Sequence, residues 1–208
     1  MKTLLNTAYW PNLHYFYYVL NSEAVSIEQF ENFQRQSFRN RTQLLTANGA
    51  LDLSIPVKKK ATKELSKDIE ITYAENWHIK HWRAIVSAYK NSPYFEHFES
   101  EIEILYTEKH EFLISFNTLQ LQCVLKILKT QKAISLTSIY EKESSDLLDL
   151  REKIHPKLNF KEDAIVAKQL SNPYYQTFEN KFEFRPNLSI LDLLFNKGLE
   201  TLDYLRAK

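Results

Sequence analysis

Up to about residue 73 the apolar positions are spaced mainly as in strands; beyond it the spacing is mostly helical. Thr3 to Trp10 reads as an extended segment stopped by Pro11, and proline is tolerated in a first helical turn, where its missing N–H has no partner to lose. His14 to Leu20 reads as an aromatic helix, and Ala24 to Glu28 as a second strand. Arg41 to Val57 carries the clearest local signal. Asn48-Gly49 favours a type I′ hairpin turn, because both residues tolerate positive φ. That turn would set Thr46 opposite Leu51, Leu44 opposite Leu53 and Thr42 opposite Ile55. Leu51, Leu53, Ile55 and Val57 would then form one apolar face, with Arg41, Gln43 and Ser54 on the other.

Lys58 to Lys67 reads as a basic linker and Asp68 to Tyr73 as another strand. Three helices follow: Glu75 to Tyr89 with Trp77, His81, Ile85 and Ala88 inward, then Tyr94 to Tyr106, then Glu108 to Leu128 with Phe112, Phe116, Leu119, Cys123 and Ile127 on one stripe. Ala133 to Tyr140 suggests a strand, and Glu141 to Lys168 shows no regular pattern. Ser189 with Asp192 reads as a capping box, with Leu188 and Leu193 as its hydrophobic staple. Gly198 stops that helix, and Leu199 to Leu205 resumes helical spacing. The expected fold is α/β: a mixed β-sheet with an Asn-Gly hairpin, flanked by helices, with a helical C-terminal segment.

Composition narrows the chemistry. The 208 residues suit one domain, 1–208, large enough to bury its own core. With two glycines, Gly49 and Gly198, neither a phosphate-cradling P-loop nor a GxGxxG fingerprint can be written. Cys123 is the one cysteine, so no intrachain disulfide forms. A net charge of +1 gives no global pull toward nucleic acid. No run is long and apolar enough to span a membrane, and a cytoplasmic location is expected.

Four polar clusters are candidates for chemistry. Asn12 and His14 stand at a strand-to-helix junction, where an anion can be met. Arg39, Asn40 and Arg41 close a run with three arginines and no internal carboxylate, suited to clamping phosphate or carboxylate. Trp77 and His81 share a helix face, and an unperturbed His titrates near neutrality. Their spacing with His78 lacks an acidic third ligand, so no metal is expected. Gln176 and Asn196 are amides placed to orient an acceptor. A fifth cluster, Asp149-Leu150-Arg151 with His155-Pro156-Lys157, has no assigned role.

In order along the chain, Ala8-Tyr9-Trp10-Pro11, Gln36 through Arg41, Thr46 to Gly49, Trp77 with His81-Trp82, and Tyr175-Gln176 with Pro186 to Gly198 make the sequence resemble the WbqC-like protein family. Many relatives have Gln where Trp10 stands and Gly where His14 stands. The family is found among surface-polysaccharide genes. The resemblance implies a transferase of O-antigen-type biosynthesis, such as one moving an amino-acid or acyl group onto a nucleotide-linked sugar. Its partner would be an anionic or nucleotide-linked small molecule, with no cofactor named and oligomeric state open. His14 and His81 would be the catalytic acid/base groups. Asn12, Arg39, Asn40, Arg41, Trp77, Gln176 and Asn196 would bind substrate, and all nine would converge on one pocket. The alternatives are a non-catalytic ligand-binding or scaffold protein of the same pathway, and a nucleotidyltransferase-like enzyme, suggested by the Pro-x-x-His helix start.

Overall fold

A computed structural model describes residues 1–58, 61, 63–142 and 146–206. Four strands, β1 (Lys2–Asn6), β2 (Ala24–Glu28), β5 (Ala133–Leu136) and β6 (Leu147–Asp149), form an all-parallel sheet in the order β5-β2-β1-β6. Between β2 and β5 lie β3 (Arg41–Thr46) and β4 (Gly49–Ser54), which pair only with each other. The parallel and antiparallel parts of the α/β fold are thus two separate sheets. Helices α1 (Leu13–Asn21), α2 (Trp77–Tyr89), α3 (Phe95–Thr107), α4 (Leu113–Ile127), α5 (Ala164–Leu170), α6 (Ile190–Lys197) and α7 (Thr201–Leu205) complete it.

The strand order decides where a ligand can enter. From β1 the chain steps to β2 and β5 on one side, then returns to add β6 on the other. The carboxyl ends of the strands flanking such a reversal, here β1 and β6, are the usual ligand position in open parallel sheets. Sequence patterning missed β6. It is three residues long, and a parallel strand lacks the alternation that marks a half-exposed one.

Other expectations are corrected. The first strand ends at Asn6 rather than Trp10, because the chain turns sharply: Trp10 adopts φ 38. That strained residue is held on all sides. Its N–H donates to Gln120 Oε1 (3.1 Å), its indole to the Tyr106 hydroxyl (2.6 Å), and its carbonyl accepts from Thr42 Oγ1 (2.8 Å) and Ser189 Oγ (3.1 Å). The hairpin register is shifted by two: Thr46 pairs with Gly49, Leu44 with Leu51 and Thr42 with Leu53. Ala47-Asn48 form the turn, and Gly49 alone takes positive φ (103). A type I′ turn needs positive φ at both central residues, which this backbone lacks. Leu51, nearest the turn, is exposed while Leu53 and Ile55 on the same face are buried.

No strand forms over Asp68–Tyr73. Asp68 ends a single 3-10 turn (Ser66–Asp68), and Glu70 and Ile71 make only isolated bridges, to Phe112 and Val57. The last long helix begins at Leu113, not Glu108, and buries Phe116, Asn117, Gln120, Leu121 and Val124, leaving Leu119 exposed and Cys123 half-buried. Lys59, Lys60 and Thr62 of the expected linker lie outside the described residues. Among the described residues no helix is long and apolar enough to cross a membrane.

Candidate functional site

A cavity of about 350 Å³ opens at the strand reversal. Asn12 and His14 from the start of α1, Arg41 and Asp52 from the hairpin, and Lys153 and His155 from the segment after β6 line it. The segments that follow β1 and β6 are tied together near the strand ends, since Asn6, the last residue of β1, donates from Nδ2 to the Arg151 carbonyl (2.8 Å). Three of the nine residues read from the sequence, Asn12, His14 and Arg41, line this cavity.

The α1 N-terminus is not open to an anion through its backbone. The Leu13 N–H donates to the Leu188 carbonyl (3.0 Å), the His14 N–H to Asn187 Oδ1 (2.8 Å) and the Tyr15 N–H to the capping Asn12 Oδ1 (3.0 Å). Recognition therefore falls to side chains. Arg41 has no carboxylate partner among the described residues, and its buried Nε has no acceptor. Such a guanidinium, at the head of a fixed hairpin, is suited to a bidentate anion. His155 also lines the cavity, but burial and the charges of Arg39 and Lys157 push its pKa down, so near pH 7 it is a neutral hydrogen-bonding group and the cationic wall is Arg41 and Lys153.

His14 is 4% exposed, and its Nε2 lies 3.3 Å from Asp163 Oδ2. Burial lowers its pKa, only partly opposed by Asp163. The ring is neutral near pH 7, able to accept a proton.

The remaining six residues occupy other places. Arg39 is buried and donates twice to Glu31, Nε to Oε1 and Nη2 to Oε2, both at 2.7 Å. Its carboxylate partner lay eight residues upstream, outside the run that looked unneutralised. Asn40 Nδ2 donates to the Ile55 carbonyl (3.0 Å) and anchors the hairpin base. Trp77 and His81 pack in an aromatic core, where His81 Nδ1 meets the Tyr9 hydroxyl (2.8 Å), itself 2.8 Å from that of Tyr106. Burial drives the His81 pKa down to about 4.

Gln176 and Asn196 surround Asp192. Asp192 is buried and accepts from the Tyr174 hydroxyl (2.6 Å) and Gln176 Nε2 (2.9 Å) on Oδ2. Asn196 Nδ2 donates to the Asp192 carbonyl (2.7 Å). The expected capping box is thus half right. Ser189 Oγ accepts from the Leu191 N–H (3.3 Å), but the Ser189 N–H donates to Gln43 rather than to Asp192. Gln176 also exchanges hydrogen bonds with the Arg185 backbone, so the Asp192 cluster latches the 174–185 loop onto α6.

Sequence reading missed Lys153 and His155 as site residues. The available signal was the unassigned polar cluster after Leu147-Leu148; what it lacked was recognition of those leucines as a strand. Among the described residues no group of three or more His, Cys, Asp or Glu is arranged to hold a metal ion.

A parallel four-stranded sheet with a reversal beside β1, a separate hairpin and a polar cavity at the strand ends define an α/β protein of the parallel-sheet class. The chain belongs to the WbqC-like protein family, whose model matches residues 7–204. It is similar to the uncharacterized protein Rv1507c of Mycobacterium tuberculosis, 23% identical over 229 residues, covering 98% of this chain and 96% of that one. No solved structure matches.

Proposed function

We propose that the chain is a transferase of surface-polysaccharide biosynthesis, and that the cavity between the β1 and β6 ends takes an anionic, nucleotide-linked small molecule. One observation carries this reading: the unpaired Arg41 guanidinium and the Asp163-backed His14 imidazole line the same cavity. Arg41 and Lys153 hold the phosphates of the nucleotide-linked acceptor. His14 serves as the acid/base group. An acceptor O–H or N–H gives its proton to His14 as its oxygen or nitrogen bonds to the transferred group. The bond between the transferred group and its donor carrier breaks, its electron pair leaves with that carrier, and the imidazolium returns the proton to that leaving group. His81, in the aromatic core, takes no part in this scheme.

A thermal-shift screen of nucleotides, nucleotide sugars and acyl donors tests the reading. A ligand that binds only the folded state raises Tm by mass action. Diphosphate-bearing ligands are expected to raise it for the wild type and not for Arg41→Ala. Equal shifts in both proteins, or none in either, count against it. Binding without turnover of any donor favours the non-catalytic alternative.

A further inference from the structure

We infer that Asp163 is a positioning residue for His14, holding its Nε2 so that Nδ1 is the nitrogen presented to substrate. The inference rests on reading the cavity as a group-transfer site. Asp163 is itself fixed from three directions. Oδ1 caps α5 by accepting the Val166 N–H (3.2 Å), while Oδ2 accepts the Tyr18 hydroxyl (2.5 Å) and faces His14 Nε2 (3.3 Å). Tyr18 lies one turn along α1 from His14, and their rings pack at 5.8 Å. The carboxylate thus meets the imidazole at an angle set by two helices.

A carboxylate accepts only, so Nε2 must carry the proton. Nδ1 is then unprotonated and has no partner among the described residues. Charge that develops on the ring during proton transfer is stabilised by Asp163, as in other oriented His–carboxylate pairs. The other titratable or charged groups around the ring are Arg41 and Asp52 of the hairpin, Glu152, Lys153 and His155 after β6, and Glu162 before α5. None of these makes a hydrogen bond to the ring.

The test reads the ring itself, in the ligand-free full chain. Long-range proton–nitrogen NMR assigns His14 by the signal lost in His14→Gln, then reports its tautomer and titration. The expected wild-type ring carries its proton on Nε2. Asp163→Asn keeps a good helix cap, so the fold should hold. It is expected to move the His14 titration to lower pH, because the carboxylate that favours imidazolium is gone, and to mix the tautomers. Tyr18→Phe, which keeps the carboxylate, should retain the wild-type tautomer. A proton on Nδ1 in the wild type, or an Asp163→Asn ring with unchanged tautomer and titration, would overturn the assignment. No ligand enters this measurement. A failed screen therefore leaves its result standing, and a failed assignment leaves anion binding by Arg41 untouched.

Discussion

Arg39 and Glu31 form a buried ion pair with two 2.7 Å hydrogen bonds, two residues from an Arg41 that has no such partner. The same local run thus holds two different kinds of arginine. Removing one member of a buried pair strands the other charge, at a cost of about 3–5 kcal/mol. Arg39→Ala should accordingly lower the urea midpoint strongly. Arg41→Ala should leave stability within about 0.5 kcal/mol, as substitutions away from such pairs do. Equal destabilisation by the two substitutions would refute this division.

Asp192 and His81 pull stability in opposite directions over one pH range. Burial raises Asp192 from 3.8 to about 6, so its contribution is present at low pH and lost as pH rises from about 4 to about 6. Burial lowers His81 from 6.5 to about 4, so its contribution is present near neutrality and lost as pH falls through that range. Asp192→Asn removes only the first effect. Its stability relative to wild type should rise between pH 4 and 6 by up to about 3 kcal/mol, then level off. Unfolding midpoints at several pH values give the difference, and a constant offset would rule out the titration.

The two glycines should respond unequally to alanine. At Gly198, with φ 58, a Cβ would sit 2.7 Å from Tyr94 Cδ1, so backbone strain and a clash add. Gly49, at φ 103, has open space around it and meets strain alone. Gly198→Ala should cost about 2–4 kcal/mol and Gly49→Ala about 1 kcal/mol. Thermal unfolding compares them, and a milder effect at Gly198 is the contrary result.

What the sequence showed tracks the range of each interaction. Local signals were legible: the hairpin's existence, the Ser189 cap, the Gly198 stop and the buried face of α2 each depend on neighbouring residues. The hairpin register was misread because Asn48 keeps negative φ and leaves positive φ to Gly49. Long-range partners were not legible. Glu31 for Arg39, Asp163 for His14 and Tyr174 for Asp192 are joined only by the fold. The candidate site was therefore visible as Asn12, His14 and Arg41, mixed with six residues of the same chemical types that serve packing. Lys153 and His155 were hidden because they follow a strand only three residues long.

An anionic ligand that enters the cavity should be held by Arg41. Calorimetric titration of inorganic pyrophosphate and UDP-glucose into wild type, Arg41→Ala and Arg83→Ala tests it most directly. Arg83 is exposed on α2 and does not line the cavity, so its substitution makes the same change in net charge elsewhere. Binding is expected to be alike for wild type and Arg83→Ala, and at least about tenfold weaker in Arg41→Ala, which corresponds to about 1.4 kcal/mol. Equal affinity in all three proteins, or no binding of either probe to the wild type, would contradict it.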